Sequence, residues 1–234
     1  MIPQAVMIFA AGRGTRMGAL TAARPKPLIE VSGRPLIDHA LDLARAVAPS
    51  RLVVNTHYLG AQIRDHLAGQ DVMVSDEADL LRETGGGLRH ALPLLGPGPV
   101  FTLNSDALWR GDNPLRRLAA AWDPARMEAL LLMLPRDAAL GHSGAGDFRL
   151  TPEGRLTRGP ELVYSGAQIL RTEGLASIRE EVFSLNLLWD RIAARGGLYG
   201  LAYDGLWCDV GRPENLPLAE SLIAEGTRGA GDVS

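Results

Sequence analysis

The chain has 234 residues, of which 46% are hydrophobic and 22% are charged, and its formal net charge is −3. This composition is typical of one globular α/β domain that is large enough to bury a core without disulfides. The mixed charges argue against a broad basic surface for nucleic acid or anionic membranes, and no apolar run approaches the roughly 20 residues that span a bilayer.

Five short runs of almost continuously apolar residues predict strands that are buried on both faces of a parallel sheet. They are residues 5–9, 51–55, 72–75, 100–103 and 129–134. Between them, apolar residues spaced three and four apart predict helices. These are residues 36–47, 60–67, 87–94 and 114–122. The alternation of strands and helices predicts an α/β fold with a doubly wound, mostly parallel, Rossmann-like sheet that binds ligands at its carboxyl edge.

Beyond Pro135 the chain consists of short segments that are broken by Gly, Pro and Asp. The predicted elements here are strands at 162–170 and 198–203 and a final helix at 213–225. We expect a single domain, 1–234, in three parts. The parts are a first half (1–135), a mixed α/β second half (136–225) and a flexible tail (226–234).

The cellular setting is predicted from one cysteine and the N-terminal residues. Cys208 has no second cysteine with which to form a disulfide, and the start Met-Ile-Pro-Gln lacks the positive segment of a signal peptide. We therefore expect a cytoplasmic monomer or small homo-oligomer that binds neither nucleic acid nor a membrane.

A glycine-rich loop follows the first predicted strand. Its sequence is Ala11-Gly12-Arg13-Gly14-Thr15-Arg16, and glycines in such a place let backbone N–H groups approach phosphate oxygens. The loop lacks the lysine of a Walker A motif. A tight connection without any ligand is the alternative interpretation.

Lys26 lies between Pro25 and Pro27, ten residues after Arg16. Each proline fixes its own φ and restricts the residue before it, so Lys26 would lose little freedom on meeting a phosphate. An exposed lysine in a turn is the alternative, and the nearby glycine loop favours phosphate binding.

The Gly-Thr-Arg-Met loop followed by Pro-Lys-Pro-Leu resembles the signature of the sugar-1-phosphate nucleotidylyltransferases, which have a glycosyltransferase-A-like fold. The resemblance implies an enzyme that joins a nucleoside triphosphate to a sugar 1-phosphate and releases pyrophosphate. The first half would bind the nucleotide and the second half the sugar phosphate. By position, the loop and Lys26 would bind the triphosphate, and Arg16 would align the leaving pyrophosphate.

Two later segments are similar to the same family. Asn104-Ser105-Asp106 resembles its Asn-x-Asp, and residues 207–216 resemble its Trp-x-Asp-x-Gly-x-Pro-x-x-Leu. The resemblance implies that Asp106 and Asp209 hold Mg²⁺, an ion that uses one or two carboxylates and fills its other positions with phosphate oxygens and water. Turn and helix-cap roles are the alternatives for these aspartates. The implied catalytic residues are Arg16, Lys26 and Asp106.

The segment Glu83-Thr84-Gly85-Gly86-Gly87 resembles the part of the family that receives the nucleobase. The resemblance implies that the main chain at Gly85 and Gly86 contacts the base, with Glu77 nearby. A glycine run that merely permits a helix start is the alternative. The implied nucleotide-binding residues are Ala11, Gly12, Gly14, Thr15, Arg16, Lys26, Glu77, Gly85, Gly86 and Asn104.

For the sugar phosphate, the resemblance implies Gly146, which precedes Asp-Phe, and Gly166 in the segment Tyr-Ser-Gly. The family's Glu-Lys-Pro segment is absent, and Glu161, the nearest acidic residue, is the third residue predicted to bind the sugar phosphate. The missing lysine argues against a glucose-1-phosphate thymidylyl- or uridylyltransferase.

The short chain and its motifs are most similar to the N-acetylmuramate-1-phosphate uridylyltransferases of bacterial cell-wall recycling. We expect Mg²⁺-dependent formation of UDP-MurNAc and pyrophosphate from UTP and N-acetylmuramate 1-phosphate (MurNAc-1-phosphate). A mannose-1-phosphate guanylyltransferase, or a member that uses another triphosphate and sugar 1-phosphate, remains an alternative. A non-catalytic nucleotide-sugar sensor is the alternative of another class. The presence of Arg16, Lys26 and both aspartates argues against a sensor.

Overall fold

The structure is a computed structural model that describes residues 2–229. Its strands are β1 (Ala5–Phe9), β2 (Glu30–Val31), β3 (Arg34–Pro35), β4 (Arg51–Thr56), β5 (Met73–Asp76), β6 (Val100–Asn104), β7 (Ala107–Arg110), β8 (Ala129–Pro135), β9 (Ala139–Leu140), β10 (Phe148–Leu150), β11 (Leu156–Arg158), β12 (Leu162–Leu170), β13 (Leu198–Ala202) and β14 (Leu206–Asp209). Its α-helices are α1 (Leu36–Arg45), α2 (Gly60–Leu67), α3 (Glu83–Leu95), α4 (Pro114–Ala121), α5 (Leu185–Ala194) and α6 (Leu216–Gly229). Short 3-10 helices cover Thr15–Thr21, Lys26–Leu28, Arg136–Ala138, Glu173–Ser177 and Pro213–Asn215.

The main sheet is mostly parallel. Strands β5, β4, β1 and β6 are parallel neighbours in that order. The antiparallel strand β12 pairs with β6 and with β8, and β13 runs parallel to β8. The carboxyl ends of β1, β4 and β6 therefore meet at one edge of the sheet, where an open α/β sheet binds its ligands. The predicted fold class is confirmed.

Helices cover both faces of this sheet, which explains why the strands are apolar without alternation. Val6 and Ile8 of β1 belong to a core shared with α1, α2 and α4. Ala5 and Met7 of the same strand belong to a second core, shared with α3 and α5. Each face of β1 thus removes apolar surface from water, which is the main stabilising contribution to such a fold.

A small sheet brings the late part of the chain to the end of β6. It has the order β7-β14-β9, and β14 is antiparallel to β7 with Asp209 opposite Ala107. The N–H of Val210 donates to the carbonyl oxygen of Asp106 at 3.0 Å. The Asn215 amide fixes the same place, because its Nδ2 donates to the carbonyl of Asp209 at 2.7 Å. Two aspartates that are far apart in sequence become neighbours through these contacts.

Most predicted elements match the structure within two residues, and β1, α2 and β12 have the predicted bounds. Helix α3 begins at Glu83, four residues before its predicted start, although glycines at 85–87 do not favour a helix. The final helix continues to Gly229, into the first part of the predicted tail, and residues 230–234 lie outside the described residues. Within residues 2–229, no helix is both long enough and apolar enough to cross a bilayer.

Candidate active site

The glycine loop leads from the end of β1 into the 3-10 helix Thr15–Thr21. Gly14 has φ of +62°, a left-handed conformation that L side chains rarely adopt. A Cβ at this position would also lie 2.9 Å from the Cβ of Lys26 and 3.0 Å from Cγ2 of Thr21. Gly14 is therefore required twice, by its backbone angle and by its contact with the lysine segment.

Lys26 is held from both sides. Pro25 is extended, with φ of −68° and ψ of 145°, and Pro27 lies within the 3-10 helix Lys26–Leu28. The lysine is only 8% exposed, and its Nζ donates to Oδ2 of Asp106 at 2.5 Å. The structure thus places a nearly buried cation between the glycine loop and the first of the two predicted metal ligands.

Asp106 and Asp209 face a common charge cluster. Burial, and next the negative charge of Asp106, raise the pKa of the Asp209 carboxyl above its ordinary value, while Lys26, Arg16 and His142 oppose that rise. A Cβ on Gly211 would lie 2.8 Å from Oδ2 of Asp209 and 3.1 Å from an Nη of Arg16. The glycine at 211 therefore leaves room for the arginine beside the carboxylate.

This pair of carboxylates fits a hard divalent cation. Two acidic groups held together in a partly buried place repel each other, and a cation between them would remove that cost. Among residues 2–229 there is no cluster of three or more His, Cys, Asp or Glu side chains that could hold a metal. An ion such as Mg²⁺, which fills most of its coordination positions with phosphate oxygens and water, would need only these two carboxylates.

The raised pKa of Asp209 predicts that Asp209→Asn stabilises the metal-free protein. Because the folded state disfavours the charged carboxylate, wild type loses stability as the pH rises through this raised pKa, and the neutral amide does not. We therefore expect a higher Tm for Asp209→Asn than for wild type at neutral pH. The difference should vanish in acid. Asp204→Asn is the control, because Asp204 is exposed and paired with Arg117. A lower Tm for Asp209→Asn at neutral pH would contradict the prediction.

Cys208, next to the metal candidate, is buried and unpaired. Burial raises the pKa of its thiol to about 11, so that it is protonated at neutral pH. A protonated thiol is a poor nucleophile, which argues against a catalytic role for Cys208.

A cleft of about 310 Å³ opens at the carboxyl edge of the sheet, above these groups. Most of the residues predicted to bind the nucleotide or the metal line it, although Gly85, Gly86 and Asp209 do not. The lining residues are Phe9, Ala10, Ala11, Gly12, Gly14, Thr15, Arg16, Lys26, Pro27, Asn55, Glu77, Leu81, Glu83, Thr84, Asn104, Ser105, Asp106 and Gly211. In the part of the chain that the structure describes, Arg16 forms no ion pair, so its guanidinium is available to a phosphate.

Glu77 lines the cleft, and both oxygens of its buried carboxylate accept hydrogen bonds from within the protein. Its Oε1 accepts from Nδ2 of Asn55 at 2.7 Å, and its Oε2 accepts from the N–H of Arg82 at 3.1 Å. Asn55 in turn accepts from the N–H of Ala10 at 2.7 Å. Glu77 thus ties the end of β1 to the start of α3, a structural role that the sequence did not indicate.

Gly85 and Gly86 lie behind Glu83 and Thr84 rather than on the surface of the cleft. Their N–H groups donate to the carbonyl of Phe183 at 2.9 and 3.1 Å. A Cβ on Gly85 would lie 2.4 Å from the Phe183 ring. In the structure these glycines allow the segment 178–185 to pack against the start of α3; direct contact with the base remains a prediction.

Gly86→Ala is expected to destabilise the fold by about 1–3 kcal/mol, the usual cost of overpacking a tight contact. The added Cβ would lie 2.4 Å from the backbone oxygen of Glu181, which cannot turn away as a flexible side chain would. Chemical denaturation measures the change. Gly12→Ala is the control for stability, because a Cβ on Gly12 meets nothing within 4 Å. Equal stabilities for the two variants would show that the 178–185 segment does not need this close contact.

A second cavity of about 210 Å³ adjoins the cleft and shares Phe9, Thr84 and Asn104 with it. Its wall includes three aromatic side chains in edge-to-face contact, Phe148, Tyr164 and Trp189, with centroids 6.1 and 4.9 Å from Trp189. Its other lining residues are Asp147, Arg158, Ser184, Leu185 and Asn186. An aromatic wall edged by polar groups is suited to a sugar ring.

A buried hydrogen-bond chain positions this aromatic wall. Nε1 of Trp189 donates to Oε1 of Gln168 at 2.9 Å, and Nε2 of Gln168 donates to Oγ1 of Thr102 at 3.0 Å. Burial strongly raises the pKa of the Tyr164 phenol, and the neighbouring Thr102 side chain opposes that rise. Fully satisfied buried networks of this kind stiffen a site.

The three residues predicted to bind the sugar phosphate lie beside this second cavity and outside its lining. Gly166 packs against the side chain of Asn104, which lines both cavities. Gly146 packs against the backbone at 160–162, and Glu161 forms an exposed ion pair with Arg149 at 2.8 Å. Sequence reasoning missed Arg158 and Trp189, because a single arginine or tryptophan has no motif around it.

Residues 6–143, more than half of the chain, match the MobA-like NTP transferase domain. The chain belongs to the MobA-like NTP transferase family. This confirms the kind of family that the loop and lysine motifs indicated. The matched part of this MobA-like NTP transferase contains Arg16, Lys26 and Asp106, whereas Asp209 and the aromatic wall lie beyond it.

Two curated relatives match almost the whole MobA-like NTP transferase. An N-acetylmuramate α-1-phosphate uridylyltransferase from Caulobacter vibrioides is 41% identical over 95% of this chain and 98% of its own length. A protein of the same name from Neisseria meningitidis serogroup B is 34% identical over 92% of this chain and 96% of its own. Among solved structures, the inositol-1-phosphate CTP transferase from T. maritima has a TM-score of 0.75 and 17% identity, and the match covers 98% of each chain. At that identity the likeness concerns the fold alone.

Proposed function

We propose that this MobA-like NTP transferase transfers the uridylyl group of UTP to MurNAc-1-phosphate and releases pyrophosphate, with Mg²⁺ as the metal. The observation that carries the activity is the contact of the nearly buried Lys26 with Asp106 beside the glycine loop. The two curated relatives that match more than nine tenths of the chain support the choice of UTP and of the sugar.

In the proposed reaction, a phosphate oxygen of the sugar 1-phosphate attacks the α-phosphorus of UTP in line with the leaving group. One P–O bond forms and the bond to the bridging oxygen breaks, so pyrophosphate leaves with the bonding electrons. A sugar phosphate is already ionised at neutral pH, and the attack therefore needs no strong general base. Most of the rate would come from alignment and from neutralised charge.

The chain's own residues supply that alignment. Backbone N–H groups at Gly12 and Gly14 hold phosphate oxygens, and Lys26 neutralises charge near the α-phosphate. Arg16 has no ion-pair partner among the described residues and is free to follow the pyrophosphate. Asp106 and Asp209 would hold Mg²⁺, which when bound would supply Lewis-acid stabilisation of the negative charge on the phosphates.

Arg16→Ala is expected to lower kcat more than it raises KM for UTP. The guanidinium would stabilise charge that grows as pyrophosphate leaves, so its loss should affect the transition state more than the bound substrate. Steady-state kinetics with varied UTP measure both constants, and Arg13→Ala, in the same loop but outside the cleft lining, is the control. An unchanged kcat with weaker UTP binding would assign Arg16 to ground-state binding.

The proposed function is tested by pyrophosphate release across four triphosphates and the 1-phosphates of MurNAc, GlcNAc, glucose and mannose. Release with UTP and MurNAc-1-phosphate is the expected result. Release with GTP and mannose 1-phosphate would keep the class and change the substrates. Tight binding of a nucleotide sugar without any release of pyrophosphate would contradict the enzymatic function and support a non-catalytic sensor. We also propose a cytoplasmic location, which the single unpaired cysteine supports.

A further inference from the structure

The second cavity contains one cationic side chain among its described lining residues, Arg158 of β11. Its Cζ lies 4.5 Å from the centroid of the Phe148 ring and 5.9 Å from that of Trp189. Stacking on an aromatic face suits a guanidinium, which is planar and weakly hydrated, and restricts its movement. A fixed positive charge therefore lies at the aromatic wall.

Arg158 keeps a free donor group. Its Nε and Nη2 donate to Oδ1 of Asp190 at 3.0 and 2.8 Å, and Nη2 also donates to Oδ1 of Asn186 at 2.8 Å. Among residues 2–229, no hydrogen bond from its Nη1 is found. The side chains of Arg158 and Asp190 are 45% and 60% exposed, and exposed pairs of this kind contribute little and exchange partners readily.

The sugar's phosphate should bind at the other side of the cavity. The attack must occur near Lys26 and Asp106, and neither residue lines the second cavity. The residues that line both cavities are Phe9, Thr84 and Asn104, so the 1-phosphate has to lie at that junction. Arg158 is not among them, and its charge is therefore left for an anionic group elsewhere on the sugar.

The other charged lining residue is Asp147. Its Oδ2 accepts the N–H of Tyr164 at 2.9 Å, so one oxygen is already used by the protein. An anionic substituent would avoid this carboxylate, whereas ring hydroxyls could donate to its free oxygen. Arg158 and Asp147 thus favour one orientation of an anionic sugar in the cavity over the other.

We propose that Arg158 recognises a carboxylate carried on the sugar ring. It would thereby distinguish MurNAc from GlcNAc, because one ring carbon carries a lactyl ether with a carboxylate in MurNAc and a hydroxyl group in GlcNAc. The inference rests on the proposed function and names the residue that makes it selective. A guanidinium binds a carboxylate through charge-assisted hydrogen bonds that a hydroxyl cannot replace. Phe148 and Trp189 hold the guanidinium in place for this contact.

The test compares Arg158→Gln and Arg158→Lys with wild type. Titration calorimetry with UDP-MurNAc and UDP-GlcNAc gives the affinities, and kcat/KM with MurNAc-1-phosphate gives the kinetic effect. We expect Arg158→Gln to weaken UDP-MurNAc binding and lower kcat/KM about 10- to 100-fold, as for one hydrogen-bonded charge, with UDP-GlcNAc affinity nearly unchanged. Arg158→Lys should recover part of the loss. Arg149→Gln is the matched control, because Arg149 is an arginine of the neighbouring strand that lies outside the cavity lining.

An equal loss for UDP-MurNAc and UDP-GlcNAc would overturn the inference, because it would assign Arg158 to a group that both sugars share. No loss for either would overturn it as well. The binding experiment does not depend on turnover, so it separates this inference from the proposed function. A wild-type protein that bound UDP-MurNAc without making it would refute the enzyme and leave the role of Arg158 standing.

Discussion

Asp106→Asn is expected to lower kcat by roughly two to three orders of magnitude at saturating Mg²⁺, the scale of removing a main electrostatic group. The carboxylate has two tasks in the site. It would hold the metal, and its Oδ2 accepts the 2.5 Å hydrogen bond that fixes Nζ of Lys26. The asparagine amide has the shape of the aspartate side chain but no negative charge, so both metal binding and the bond to Lys26 should weaken.

The measurement is pyrophosphate release with Mg²⁺ varied at fixed substrates. Asp112→Asn serves as the control, because Asp112 is an exposed aspartate that pairs with Arg117 and lies outside the cleft lining. If Asp106→Asn kept near-normal turnover, the assignment of Asp106 to the metal would be wrong. If turnover recovered at higher Mg²⁺, the loss would lie in metal affinity rather than in the reaction.

Lys26→Met is expected to lower kcat/KM by roughly two orders of magnitude or more, because it removes a positive charge from a place where water is scarce. The residue is 8% exposed, and methionine, an unbranched side chain of similar length, can occupy nearly the same space without the charge. Its loss also leaves Asp106 and Asp209 with less opposing charge. Weaker triphosphate binding should accompany the lower rate.

A double-mutant cycle separates the two residues. If Lys26 acts partly through Asp106, the double variant Asp106→Asn/Lys26→Met should lose less activity than the product of the two single losses. Fully multiplicative losses would mean that the 2.5 Å contact has no functional consequence. The thermal stability of each variant checks that the fold survives the change.

The sequence predicted the fold, and most of the residues it assigned to nucleotide binding line the cleft, for a physical reason. Strands such as β1 and β6 are continuous apolar runs, and the glycine loop and Lys26 are contiguous motifs whose geometry is set locally. Asp209 was found only through the family resemblance. Its approach to Asp106 depends on the register of β14 with β7, which no local pattern specifies.

The second cavity was harder to predict because it is assembled from distant segments. The aromatic wall combines residues of β10, β12 and α5, and the bonds that fix it run through Gln168 and Thr102 inside the sheet. Helix α3 also depends on a contact with a segment that is distant in sequence. Its glycines look permissive in sequence, and only the carbonyl of Phe183, almost a hundred residues later, shows what holds their N–H groups.

Lys26 is also the one lysine among the 24 basic residues of this chain, all others being arginine. The proposed active site therefore contains the only ε-amine of the protein. A reagent that acylates amines can modify no other side chain of this type, and the ion pair with Asp106 should slow its reaction. Mass spectrometry of the labelled protein could then report nucleotide occupancy at this one atom, without a reporter group introduced by mutation.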